Sequence, residues 1–173
     1  MAAAQYHTID LARLSLSSGQ GTRLDLRIDP GELEFGGGDY RFGDAGVEAR
    51  LDVSRTAAGH ALRLRFGGLV AGACMRCLEP AEVGVEVDAR EVDQPASRDE
   101  ELLSPYVSDG VLDLTAWAHD ALALALPPQI LCRPECAGLC PVCGVSLNEV
   151  DADSHRHESA PDPRLAKLRE LLD

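Results

Sequence analysis

Four cysteines fall between Cys132 and Cys143, at Cys132, Cys136, Cys140 and Cys143, and two more stand upstream at Cys74 and Cys77. Such a grouping is hard to reconcile with core packing and suits soft thiolate ligands around a tetrahedral Zn²⁺. In Cys74-Met-Arg-Cys77 and in Cys140-Pro-Val-Cys143 the two-residue spacer lets both thiolates face one ion, and Gly144 permits a tight turn behind the second pair. His155 and His157 add two imidazoles downstream. Together these residues supply enough ligands for two four-coordinate sites, and they divide in two reasonable ways. In the first, Cys74 and Cys77 join Cys132 and Cys136, while Cys140 and Cys143 join His155 and His157. In the second, Cys132, Cys136, Cys140 and Cys143 form one compact site, and Cys74, Cys77 and the histidines form another or stay empty. The first is preferred, because the second closes a tetrahedron with very short spacers and leaves the distant Cys74/Cys77 pair unexplained. A single zinc with idle histidines is the remaining alternative. Catalytic zinc keeps an open position for water or substrate, and four protein ligands leave none. The zinc is therefore expected to be structural, where binding supplies about 10–16 kcal/mol in small modules.

Other chemistry finds less support. A Cys-x-x-Cys pair is also the dithiol of an oxidoreductase, but that role needs a thiolate at a helix N-terminus in a βαβ setting, and Cys74 lies between strand-like segments. No Ser-His-Asp arrangement, Walker loop or dinucleotide fingerprint occurs, and His7, His60 and His119 are isolated. Neither an enzyme nor a small-molecule binder is expected. The net charge of −13 is uneven: residues 1–90 carry 10 basic and 13 acidic groups, residues 91–173 carry 6 and 16. Phosphate neutralisation needs the opposite sign, so the acidic half favours a basic protein partner or serves solubility alone. A zinc-ribbon nucleic-acid-binding regulator is the alternative function. It has only Arg76, Arg133 and Arg156 near the ligands, against Glu79, Glu135, Glu149, Asp151 and Asp153.

The elements that must position these ligands are legible as period-two alternation. Thr22–Ile28, Val47–Val53, Ala61–Phe66 and Glu82–Asp88 each alternate, as strands with one buried face do. Short Gly-rich breaks between them, including Gly36–Gly38, predict an antiparallel meander, open or barrel-like. Cys74 and Cys77 then sit near a hairpin tip. Arg23, Arg27, Arg50, Arg63 and Arg65 share the wet face with Asp25, Glu48 and Asp52, a pattern that fits cross-strand ion pairing better than an RNA-facing patch. The acidic stretch 93–105, with two prolines, reads as a loop. Leu114, Trp117, Ala118, Ala121, Leu122 and Ala125 recur at helical spacing, with Asp113 as N-cap and Pro127-Pro128 as stop. Asp162-Pro163 starts a short C-terminal helix with Leu165, Leu168 and Leu172 on one stripe. The expected fold is α+β: an antiparallel sheet with one covering helix over 1–128, and a zinc-knuckle segment with a C-terminal helix over 129–173, packed as one unit. With 45% hydrophobic and 4% aromatic residues, the core must rest on aliphatic side chains. No apolar run approaches the ~20 residues of a membrane span, and Met1–His7 lacks the marks of a signal peptide. A cytoplasmic, reducing setting is expected, with thiols available for metal rather than disulfides.

Cys74-Met-Arg-Cys77-Leu-Glu-Pro80, Leu124-Ala-Leu-Pro127, Cys132-x3-Cys136-x-Gly-Leu-Cys140-Pro-x-Cys143-Gly144, Leu147-Asn148 and Asp162-Pro-Arg-Leu165 follow one another in order. In these motifs the chain resembles the DUF177 (YceD-like) family of large ribosomal RNA subunit accumulation proteins, over roughly residues 65–172. The resemblance implies a non-enzymatic bacterial or organellar cytoplasmic factor that supports 23S rRNA accumulation and large ribosomal subunit assembly; taken with the acidic half, it makes a basic ribosomal protein the expected partner, with 23S rRNA contact secondary. Many family members carry a Cys-x-Cys pair where His155 and His157 stand here. Imidazole replaces thiolate readily on zinc.

Overall fold

Alternating burial organises the chain around one long strand. The computed structural model describes residues 7–43, 46–151 and 155–157. Its elements are β1 (Thr8–Asp10), β2 (Gly21–Ile28), β3 (Glu32–Phe35), β4 (Gly38–Phe42), β5 (Val47–Arg55), β6 (His60–Ala73), β7 (Pro80–Asp93), β8 (Val107–Ser108), β9 (Val111–Asp113) and α1 (Leu114–Ala125). In β5 and β6, Ala49, Leu51, Val53, Leu62, Leu64 and Phe66 turn inward, while Arg50, Asp52, Arg63 and Arg65 turn to the other face. This is the period-two pattern of a sheet with one covered face.

β6 is the axis. β7 pairs with it along its whole length, from His60↔Asp93 to Ala73↔Pro80. On its other side β5 takes the first half, Arg55↔His60 to Ala49↔Phe66, and β4 takes the second, Phe42↔Val70 to Tyr40↔Gly72. β2 extends the sheet beyond β5, and β3 extends it beyond β4. All these pairings are antiparallel. The sequence reading found four of these strands and the turn at Gly36–Gly38, but not the β3–β4 hairpin that the turn joins. Nor did it find the small sheet β1-β9-β8. The barrel-like alternative is corrected: among the described residues no strand pairs with the outer edges of β7 and β2, so the sheet stays open.

The covering helix forms where its periodicity predicts. The Asp113 carboxylate accepts from Ala116 N at 2.9 Å, and the chain leaves the helix at Leu126, before Pro127. α1 buries Leu114, Trp117, Ala118, Ala121 and Leu122, and Trp117 stacks on Tyr106 at 6.2 Å. These side chains share one core with Leu51, Val53, Leu64, Val70 and, at the far end, Cys74, Cys77 and Cys136. The expected C-terminal helix at 162–172 lies outside the described residues. No described helix is long and apolar enough to cross a membrane.

The wet face carries ion pairs. Asp52 bridges Arg23 and Arg65, each at 2.6 Å, Asp25 meets Arg50 at 3.1 Å, and Asp88 meets Arg63 at 2.5 Å. Hydrogen bonds from Arg23, with help from Arg65, hold the Asp52 carboxyl below the usual range. Arg27 donates to Gly46 O at 3.2 Å. Arg23, Arg27, Arg50, Arg63 and Arg65 are thus engaged within the sheet, as cross-strand pairing predicts.

Candidate metal centre

The β6–β7 connection and the segment after α1 each make sharp turns that bring sulfur to sulfur. In the first turn Cys74 N donates to Glu79 O at 2.7 Å and Leu78 N donates to Cys74 O at 2.9 Å. In the second, Cys140 N donates to Val145 O and Gly144 N to Cys140 O, both at 2.8 Å. The residue after the second cysteine is left-handed in both, with φ of +64° at Leu78 and +74° at Gly144. The two turns are thus one design used twice. That conformation is natural for glycine and strained for leucine.

Two groups of four ligand atoms result, each with all members within 4.8 Å of one another: Cys74, Cys77, Cys132 and Cys136, and then Cys140, Cys143, His155 and His157. This grouping follows the first of the two divisions read from the sequence, and every candidate residue falls in one group or the other. In the inner group the Cys74–Cys136 and Cys77–Cys132 sulfurs are 3.8 and 3.5 Å apart. In the outer group Cys143 Sγ lies 3.4 Å from His155 Nε2, which is 3.0 Å from His157 Nε2. A tetrahedral ion with metal–sulfur bonds of about 2.3 Å sets its sulfurs about 3.8 Å apart, so the donors fit zinc in number, type and spacing. All six cysteines are free, and the 3.8 and 3.5 Å separations of the inner group are far beyond a disulfide bond.

The electrostatics lead to the same conclusion. Burial raises the Cys74 thiol, but backbone N–H groups of Arg76, Cys132 and Cys77 more than offset it and bring it to about 6. The Cys143 N–H, the His155 ring and the Val142 N–H bring Cys140 to about 6 as well. Cys132, beside Cys77, is pushed up to about 12. Thiols poised to ionise beside one held neutral form a donor set that a shared cation would let ionise together.

Two residues that hold the groups were missed by the sequence reading as site residues. Asn148 Nδ2 donates to Cys136 Sγ at 3.5 Å, while its Oδ1 accepts from Ala137 N at 2.8 Å. It draws the Cys136 thiol down. Arg76, inside the first turn, donates to Cys136 O and Gln129 Oε1, both at 3.0 Å, and its own carbonyl accepts from Leu139 N at 3.0 Å. The outer group thus hangs from the inner one. Asn148 stood within the family-like motif, and only a fold could have said what it touches. His7, His60 and His119 lie apart, engaged with Thr115 Oγ1, Arg55 Nη1 and Pro30 O.

The family model described as large ribosomal RNA subunit accumulation protein YceD matches residues 62–172, a span that holds both donor groups. An uncharacterized protein of Mycobacterium tuberculosis is 35% identical over 95% of this chain and 81% of its own length. One of Mycobacterium leprae is 36% identical over 57% of this chain and 46% of its own. A maize protein named large ribosomal RNA subunit accumulation protein YCED homolog 1, chloroplastic, is 26% identical over 84% of this chain and 60% of its own. No solved structure matches.

Proposed function

The chain belongs to the YceD family of large ribosomal RNA subunit accumulation proteins, and from that premise we propose that it is a non-enzymatic cytoplasmic factor that supports 23S rRNA accumulation during large-subunit assembly. The observation that carries this reading is the family match across residues 62–172, which covers the strand tip and the knuckle segment together. Cys74, Cys77, Cys132 and Cys136 would hold one structural zinc, and Cys140, Cys143, His155 and His157 a second. Four protein donors at each site leave no position for substrate, which supports bracing over catalysis. The inner donors come from both 1–128 and 129–173, so the two stretches are best regarded as one unit. The partner is a basic large-subunit ribosomal protein, with rRNA contact secondary. The paired arginines of the sheet and the balance of 6 basic to 16 acidic groups in residues 91–173 support that order.

Cells depleted of the protein should show a reduced ratio of 23S to 16S rRNA, restored by the wild-type chain and not by Cys74→Ser. An unchanged ratio would refute the assembly role. In pull-downs the wild type should recover a basic ribosomal protein in a salt-sensitive manner. Recovery of naked RNA without ribosomal protein would reverse the partner assignment.

A further inference from the structure

Among the described residues, β7 leaves one edge free. Of the described strands only β6 pairs with it, so alternate residues turn backbone N–H and C=O groups outward that no described strand meets. At the end nearest the first knuckle turn, Glu79, Glu82 and Glu86 are exposed and none has a cationic partner among the described residues. Between Glu82 and Glu86, on the same face, stands Gly84, and a side chain added there would meet nothing within 4 Å. Its cross-strand neighbour is Leu69, which is 56% exposed. One face of this stretch therefore carries Glu82, the gap at Gly84 and Glu86 in succession, with the Glu86 carboxylate lying over Gly67 of β6, from which it must swing to meet a group on the open edge.

We infer that β7 accepts an added strand over residues 80–86, from a partner segment with a cation, a large apolar side chain and a second cation at alternate positions. The backbone of that segment would satisfy the open edge. Its central side chain would fill the space over Gly84 and cover Leu69, as an aromatic fills the gap beside a strand glycine, and its cations would sit opposite Glu82 and Glu86. The pattern reads alike in both directions, so it serves a parallel or an antiparallel addition. A second copy of this chain is disfavoured, because two β7 edges would set glutamates against glutamates. The inference deepens the basic-partner reading and relies on it for the setting in the cell.

The probe is a short labelled peptide centred on Lys-Thr-Phe-Thr-Lys, with a version N-methylated at alternate amides and another with Glu for Lys. Only the first should bind in fluorescence anisotropy, and it should protect amides within 81–87 from hydrogen exchange. Glu82→Lys with Glu86→Lys should weaken it about tenfold or more. Gly84→Val, which fits the open space and favours a strand, should weaken it without lowering the melting temperature. No binding, equal binding of the N-methylated peptide, or protection elsewhere would overturn the inference. Pull-downs from cells separate it from the function. If the charge-reversed chain still recovers the ribosomal protein, the surface is wrong and the function stands. If the peptide protects β7 while the wild-type chain recovers no ribosomal protein and 23S rRNA is unaffected by depletion, the surface stands and the function falls.

Discussion

His60 shows how a side chain with no part in metal binding still ties stability to pH. It opens β6 opposite Asp93, and its Nε2 lies 3.3 Å from Arg55 Nη1. A guanidinium can only donate, so that ring nitrogen must accept, and the ring is held neutral. Burial and the Arg55 charge lower its pKa from the ordinary value, against a smaller opposing pull from Asp93. Because the folded pKa is depressed, the unfolded chain binds the proton first as pH falls. The contribution is therefore complete above the unfolded value of about 6.5 and is lost as pH drops through the folded one. Urea titrations at mildly acidic and mildly basic pH should show the wild type losing more stability on acidification than His60→Gln, with metal content matched. Equal losses in the two chains would refute the assignment. At the same scale, Leu78 carries the left-handed conformation that Gly144 adopts freely. Leu78 is also 68% exposed, so it gains little packing in return. The first knuckle holds a strained residue because Cys74 and Cys77, which precede it, are buried, and the hydrogen bonds Leu78 N to Cys74 O and Cys74 N to Glu79 O close the turn around it.

At the scale of elements, glycine decides where strands seem to stop. Alternation was legible in Ala61–Phe66 and faded at Gly67-Gly68, yet β6 runs on to Ala73. The reason lies on β4: the Tyr40 and Phe42 rings cross over Gly72 and Gly68, in the space a side chain would take. Tyr40 OH also donates to Ala73 O at 2.8 Å. No local pattern announces a partner that lies thirty residues upstream, so the β3–β4 hairpin was missed while its turn was found. The strands β1, β8 and β9 were too short to show a period. α1 was legible because cap, stripe and stop agreed. The cysteines and histidines that the fold gathers into two groups stood out by type and spacing alone. Asn148 and Arg76 were not, because their contacts depend on which segments the fold brings together. Gly72→Ala should accordingly cost about 2–4 kcal/mol, since the new methyl overlaps the fully buried Tyr40 ring. Gly84→Ala, in open space on the neighbouring strand, should cost nothing or stabilise. Chemical denaturation of the two variants side by side tests this, and similar midpoints would show that β4 does not lock onto β6 through its rings.

At the scale of the whole molecule, the two donor groups differ in what they connect. The inner group ties the β6–β7 tip to a segment 55 residues or more along the chain, and three of its four cysteines are buried in the same core that α1 covers. The outer group spans only Cys140 to His157, and Cys143 and His157 are exposed. Its cysteine turn hangs from the inner group through Leu139 on Arg76 and Asn148 on Cys136. Dependence should thus run one way. Elemental analysis of the wild type should give about two zinc ions per chain, one for each filled tetrahedron. His155→Ala should give about one and melt close to the wild type, because the inner group stays intact. Cys74→Ser should lose the inner ion and much of the outer one, because the strand tip and Cys136 segment that support the outer group come loose, and its melting temperature should fall sharply. Graded chelation of the wild type should follow the same order, with outer thiols reacting first and inner ones only as the fold opens. If His155→Ala emptied both groups while Cys74→Ser emptied only one, the outer group would be the foundation and the direction of support assigned to Arg76 and Asn148 would be reversed.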